Sequence, residues 1–138
     1  VSDSRRSVMA ARLPESVRAL ADAPTYVTLA TIRPDGSPRL TVLWIARDGD
    51  ELLLSTVRGR AKERDIARDQ RVGLMFLDQR DPYSYVEVRG LATLSEEGGK
   101  ELIDQLATKY TGSPYQWDGP DEVRLVIRVV AERVLTTG

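Results

Sequence analysis

Eight consecutive residues, Ser55-Thr56-Val57-Arg58-Gly59-Arg60-Ala61-Lys62, bring together the groups that an anion needs. Ser55 and Thr56 close an apolar run and supply two hydroxyls. Gly59 allows a tight backbone turn, and helical composition begins at about Arg60. The first N–H groups of a helix have no partner within it and carry partial positive charge, so anions bind there. Arg58, Arg60 and Lys62 add full charges, and an arginine grips a phosphate through two parallel hydrogen bonds. A helix start built for stability alone carries acids in its first turn, whereas this one reads as basic. The rival reading is a solvated helix whose charges pair along its surface, since Glu63, Asp65 and Asp69 interleave with the bases. The motif alone leaves both readings open.

The residues that are missing narrow the chemistry further. The 138 residues include no cysteine and no histidine. That removes disulfides, thiolate nucleophiles, zinc–thiolate sites and both Ser-His-Asp and Cys-His catalysis. The carboxylates between Asp78 and Asp81 have no metal-binding spacing, so no metal site is expected. No acid–base residue accompanies the motif, and catalytic residues stay unassigned. Chemistry here must come from a bound cofactor or from carboxylate, Lys, Arg or Tyr groups. A net charge of −1 offers no general field for nucleic acid or a membrane surface. The 41% apolar and 30% charged fractions are those of a soluble globular protein. Val1 to Arg12 is polar and basic, and no stretch approaches the length of a membrane span, so the expected location is cytoplasmic.

The elements that must position the motif follow from periodicity and turns. One domain over residues 1–138 is expected, with 1–12 as a flexible N-terminal extension. Leu13 to Leu20 reads as a short helix with Leu13, Val17 and Leu20 on one face. Tyr26–Ile32, Pro38–Ala46 and Glu51–Val57 read as strands, joined by turns at Pro34-Asp35-Gly36 and Asp48-Gly49-Asp50, and so as a three-stranded meander. Arg60–Asp69 is helical in composition. Arg71–Leu77 and Tyr85–Leu94 are further strands. Ser95 is placed as the N-cap of a helix that buries Leu102, Ile103 and Leu106 and ends near Tyr110. After a loop at Ser113–Asp121, Val123–Leu135 closes the chain as a long strand. The fold class is mainly β: six or so antiparallel strands with short flanking helices, curled into a closed or nearly closed barrel.

The segments "ATIRPDGSPRLTVLWI", "LLLSTVRGRAKERDIARDQRVGLMFLD", "YVEVRGLATL" and "SPYQWDGPDEVRLVIRV" resemble the pyridoxamine 5′-phosphate oxidase-like split β-barrel proteins. Within them the chain looks most like the actinobacterial branch described as F420-dependent enzymes. The resemblance runs from about Pro24 to Val134. It implies a six-stranded split barrel of the FMN-binding type and a homodimer with two cofactor sites at the subunit interface. By that resemblance Arg60 and Lys62 match the family's phosphate-binding Arg-x-Lys, flanking Ala61, with Ser55, Thr56 and Arg58 beside them. Thr41, Val42 and Leu43 match the wall along which a flavin or deazaflavin ring lies. Met75, Phe76 and Leu77 are expected on the neighbouring strand, and Trp117 matches an aromatic supplied by the partner subunit. The substrate-binding Arg and His segment of the true oxidases has no counterpart here, so pyridoxamine phosphate oxidation is not expected.

Each remaining feature has a plainer alternative. Thr28 to Thr31 fit core packing better than cofactor contact. Trp44 suits a ring stack, the core or a dimer interface equally. Trp117, in a loop with Pro114, Tyr115 and Gly119, favours ligand or subunit contact. Tyr83 and Tyr85 fit a cleft or a strand edge. The expected function is an F420-dependent reductase that passes hydride to a small acceptor. Two alternatives stand beside it: an FMN oxidase or reductase of the same fold, and a cofactor carrier without catalysis. FMN ends in a single phosphate, whereas F420 carries a phosphodiester and an anionic polyglutamate tail, which suits Arg58, Arg60, Lys62 and Arg64 slightly better.

Overall fold

The computed structural model describes residues 10–137. Most of the expected N-terminal extension, residues 1–9, lies outside them. Of its remainder, Ala11 donates its N–H to the Ala131 carbonyl at 2.7 Å, which lays this end of the chain along the sheet. Helix α1 follows at Glu15–Asp22, with Pro14 as its N-cap and Val17 and Ala21 buried.

Seven strands lie among the described residues: β1 (Tyr26–Ile32), β2 (Pro38–Trp44), β3 (Ala46–Asp48), β4 (Glu51–Val57), β5 (Arg71–Leu77), β6 (Tyr85–Ser95) and β7 (Arg124–Thr136). Helices α2 (Ala61–Arg68) and α3 (Gly99–Thr111) interrupt them. The strands form one antiparallel sheet in the order β2-β1-β5-β6-β7-β4-β3. This corrects the expected meander. β1 and β2 do pair as a hairpin, but β4 sits near the far edge and pairs with β7. The expected strand Pro38–Ala46 breaks at Ile45, and its halves become the two opposite edges of the sheet, which is why seven strands replace six.

That break explains the curl. A single residue, Ile45, joins β2 on one edge to β3 on the other, so the sheet must roll until its edges meet there. Inward side chains then fill the interior, with Leu29, Ile45, Leu52, Leu54, Phe76 and Ile127 fully buried. The result is a split barrel: β2 and β4 face each other across a seam without a hydrogen-bonded ladder. Buried backbone groups need partners, and at Ile45 α3 supplies them. The Tyr110 hydroxyl accepts the Ile45 N–H at 3.0 Å and donates to the Thr25 carbonyl. Lys109 Nζ donates to the Ile45 and Ala21 carbonyls, both at 2.6 Å. Tyr110→Phe keeps the ring but leaves the Ile45 N–H unpaired. We expect it to cost about 1–3 kcal/mol, seen as a lowered midpoint in denaturant unfolding.

The start of α3 also differs from expectation. Ser95 ends β6, its hydroxyl accepting the Glu97 N–H at 3.1 Å, and the N-cap is Gly98 in the left-handed region at φ +80°. Gly99 follows because the helix starts hard against β7. A Cβ there would lie 2.1 Å from the Arg124 carbonyl oxygen. A side-chain-free contact thus sets α3 beside the first residue of β7.

Candidate functional site

A groove of about 270 Å³ opens at the barrel seam. Val42, Leu43 and Trp44 of β2 form one wall, with Tyr26 of β1 beside them. Ser55 and Thr56 at the end of β4, with Arg60 and Lys62 at the start of α2, form the other. Ile103 and Leu106 of α3 close the floor, and Tyr115 and Arg124 stand at the remaining side. One side of the groove is therefore aromatic and apolar and the other cationic. Trp44 is held by a stack on Tyr110, with ring centres 5.1 Å apart and planes 14° from parallel.

The cationic end has unmet valences. Thr56 is 3% exposed, and its buried hydroxyl oxygen has no hydrogen-bond partner among the described residues. Lys62 is half-buried, and among the described residues no carboxylate lies within ion-pair distance of its Nζ. Burial pushes the Lys62 ammonium below its usual value, and the charges of Arg60, Arg124 and Arg39 add to the effect. Uncompensated cations and an orphaned buried hydroxyl are each costly in a folded chain. A phosphate between them would satisfy both, so the residues present fit an anionic group.

Helix α2 is positioned by Asp65, which is 2% exposed. Its carboxylate accepts Thr31 Oγ1 at 2.8 Å, Arg39 Nε at 2.7 Å and Arg68 Nη2 at 3.0 Å. Arg68 also donates to the Ile32 carbonyl at 2.6 Å. Burial alone would raise the Asp65 carboxyl, but the bonds from Arg39, Thr31 and Arg68 outweigh it and hold the group at about 2. The network ties the helix that begins at the cationic end to β1 and β2, which carry the apolar wall.

The turn itself mixes the two sequence readings. Gly59 takes φ +94°, a conformation that side chains disfavour. Its N–H is capped by Glu63 Oε1 at 2.8 Å, so the first turn of α2 holds one acid in a structural role. Arg64 donates to the Gly59 carbonyl, and Arg58 pairs with Glu96 at 3.0 Å on the exposed surface. The bases thus divide: Arg58 and Arg64 brace the turn, and Arg60 and Lys62 face the groove.

Among the other residues singled out from sequence, Ser55, Thr56, Val42 and Leu43 line the groove, whereas Thr41 and Ala61 are not part of its lining. Thr41 pairs with Leu29 and lies one residue before the groove-lining run of β2 that starts at Val42. Met75 is 43% exposed on the outer face of the sheet, in a row with Thr28 and Val42. Trp117 is 69% exposed and sits edge-on to Tyr115 of its own chain, ring centres 5.3 Å apart.

Sequence reasoning missed Arg124. Its guanidinium is gripped by Asp118, donates to Ser55 Oγ at 3.1 Å and covers the Tyr115 ring at 4.7 Å. An arginine opening an apolar strand was a visible signal, but its place opposite Val57 depends on the β4–β7 register. Tyr26, Ile103 and Leu106 were also missed, because pairing of β1 with β2 and the packing of α3 bring them to the groove, whereas Tyr115 belongs to the loop aromatic cluster already singled out.

The groove continues onto an exposed apolar face. Tyr26, Leu40, Val42, Met75, Leu77 and Leu135 lie on the outer side of the sheet and are each more than a third exposed. Val42 belongs to both surfaces. Among the described residues no helix is long and apolar enough to cross a membrane.

The family described as pyridoxamine 5′-phosphate oxidase matches residues 13–138. A solved structure called F420 reductase is 31% identical, with a TM-score of 0.79 over 89% of this chain and 98% of the other. A conserved hypothetical protein of Mycobacterium tuberculosis is 27% identical, with a TM-score of 0.72 over 93% and 86% of the two chains. A putative pyridoxamine 5′-phosphate oxidase of Listeria innocua, 22% identical, shares the fold, with a TM-score of 0.70 over 88% and 95%. No curated protein sequence matches the chain.

Proposed function

The chain belongs to the pyridoxamine 5′-phosphate oxidase family, and from that membership we propose that it is an F420-dependent reductase acting on a small acceptor. The observation that carries the reading is the pairing of an apolar, aromatic wall with a cationic end whose Lys62 and Thr56 lack partners among the described residues. The 31% identity to a structure called F420 reductase supports the deazaflavin over FMN.

Arg60, Lys62 and the Thr56 hydroxyl would hold the phosphate, with Arg124 and Ser55 beside them. Val42, Leu43, Trp44 and Tyr26 would flank the ring. When bound, the deazaflavin supplies the hydride. The chain's own residues bind and orient: charge-assisted bonds fix the tail, and the apolar wall excludes water from one side of the ring. No side chain of the groove is needed to take or give a proton for hydride transfer itself.

We further propose that a second copy of the chain covers the outer face at Leu40, Val42, Met75 and Leu77 and completes the site. Exposed apolar area continuous with the groove supports this. Leu40→Glu, 67% exposed in the single chain, is expected to yield monomers in sedimentation and to weaken cofactor binding with them.

The primary test is titration of the purified protein with F420 and with FMN, followed by turnover of the reduced cofactor with enones, quinones and tetrapyrroles. Deazaflavin binding with turnover supports the reductase. A micromolar FMN site with no deazaflavin binding replaces it with the FMN reading, and binding without turnover leaves a carrier.

Lys62 sets a pH signature for the same titration. Its ammonium is lowered in the free protein, and a bound phosphate raises it again. Affinity is therefore full below the lowered value and falls as pH rises through it, by up to about tenfold per pH unit until the bound-state value is reached. Affinity measured from neutral to alkaline pH should show this fall in the wild type and lose it in Lys62→Met.

A further inference from the structure

Glu122 divides its two carboxylate oxygens between different tasks. Oε1 accepts the Gly119 N–H at 2.7 Å and closes the turn of the loop before β7. Oε2 lies 3.6 Å from Nη2 of Arg60. Arg60 lines the groove, whereas Glu122 lines the adjoining depression with Glu96, Lys100 and Asp118. A fixed carboxylate thus stands behind one of the cations that face the anion site.

The charge balance around the site follows. Arg60, Lys62 and Arg124 face the groove. Asp118 neutralises Arg124 through contacts of 2.9 to 3.0 Å, and Glu122 partly neutralises Arg60. Arg39, near Lys62, does not line the groove and shares Asp65 with Arg68. Three cations against two carboxylates leave a net charge of one, carried by Lys62.

From this balance we propose that Glu122 is a specificity-determining residue that favours a singly charged phosphodiester over a doubly charged phosphomonoester. The inference rests on the reading that the groove holds a phosphorylated cofactor. Repulsion between the Glu122 carboxylate and a bound anion grows in proportion to the anion's charge, so it penalises a dianion about twice as strongly. The Arg60 and Glu122 side chains are 56% and 35% exposed, which keeps the effect modest.

The test compares two ligands with one ring: FMN, a dianionic monoester at about pH 8, and riboflavin 4′,5′-cyclic phosphate, a monoanionic diester. Each is titrated into the wild type and Glu122→Gln. Glutamine retains an oxygen to accept the Gly119 N–H, so the loop turn survives and only the charge is lost. We expect Glu122→Gln to tighten FMN about fivefold and the cyclic diester about twofold. An unchanged ratio between the two ligands, or weaker FMN binding, overturns the assignment of Glu122 and leaves the cofactor reading standing. Failure of both ligands to bind either protein overturns the assignment of Glu122, and the cofactor reading is then decided separately by the F420 titration.

Discussion

Replacing Arg60 and Lys62 together with alanine is expected to weaken cofactor binding by about a hundredfold or more while leaving the fold intact. Each residue would make a charge-assisted contact worth roughly 1.5–3 kcal/mol, and two such contacts correspond to at least about two decades in affinity. The fold should survive because neither side chain is used to hold it. Among the described residues Arg60, largely exposed, has a single loose ion pair and Lys62 has none. Lys62 stands among Arg60, Arg124 and Arg39, all of the same sign, so removing it relieves repulsion in the free protein. Binding and stability should therefore move in opposite directions, which a solvated helix face would not produce. Fluorescence titration and thermal unfolding of the same samples give both quantities. Unchanged affinity in the double variant would show that these charges serve only the surface.

The second large effect is expected at Asp65. Its carboxyl sits at about 2 in the folded chain, against about 3.9 in an unfolded one. A group lowered on folding stabilises fully above its unfolded value. Its contribution of about 2–3 kcal/mol is thus present above about pH 4 and lost as pH falls towards about 2. Asp65→Ala removes the acceptor for Thr31, Arg39 and Arg68 at once, leaving the buried Thr31 hydroxyl unpaired and two like-charged, partly exposed arginines without their shared counter-charge. A cost of about 3–5 kcal/mol is expected. Followed from pH 7 to pH 2, the stability gap between wild type and Asp65→Ala should narrow by about 2–3 kcal/mol. A constant gap across that range would mean that the carboxylate is not the stabilising group. Because Asp65 ties α2 to the strands of the apolar wall, the variant should also weaken cofactor binding at neutral pH.

Much of this arrangement is legible in the residues. The strands Tyr26–Ile32, Glu51–Val57 and Arg71–Leu77 follow from β-branched runs bounded by turns, and the structure has them at the same bounds. Local signals of that kind do not depend on distant parts of the chain. Ser95 misled because a serine before two glutamates has the composition of an N-cap. The helix instead waits for Gly98 and Gly99, where the turn needs a positive φ and β7 comes too close for a Cβ. Ile45 misled for a different reason. Nothing in Trp44-Ile45-Ala46 marks a strand break, because the break is imposed by closure of the sheet and supported by Lys109 and Tyr110 from a distant helix.

The run from Ser55 to Lys62 shows where the boundary falls. Its anion chemistry is local: strand end, glycine turn and helix start are contiguous, so residue types alone disclose it. Which of its bases face a ligand is not local. Arg58 is drawn off by Glu96, while Arg60 and Lys62 are left at the groove; Arg64, just beyond the run, turns to the Gly59 carbonyl. Arg124 joins them only because β4 pairs with β7, and Met75 is carried to the outer face by the alternation of β5. The sequence by itself determined the residue types of a candidate anion site and the mainly β, split-barrel fold class. The tertiary structure decided the members of the site, because long-range strand pairing and closure at Ile45 choose which side chains meet.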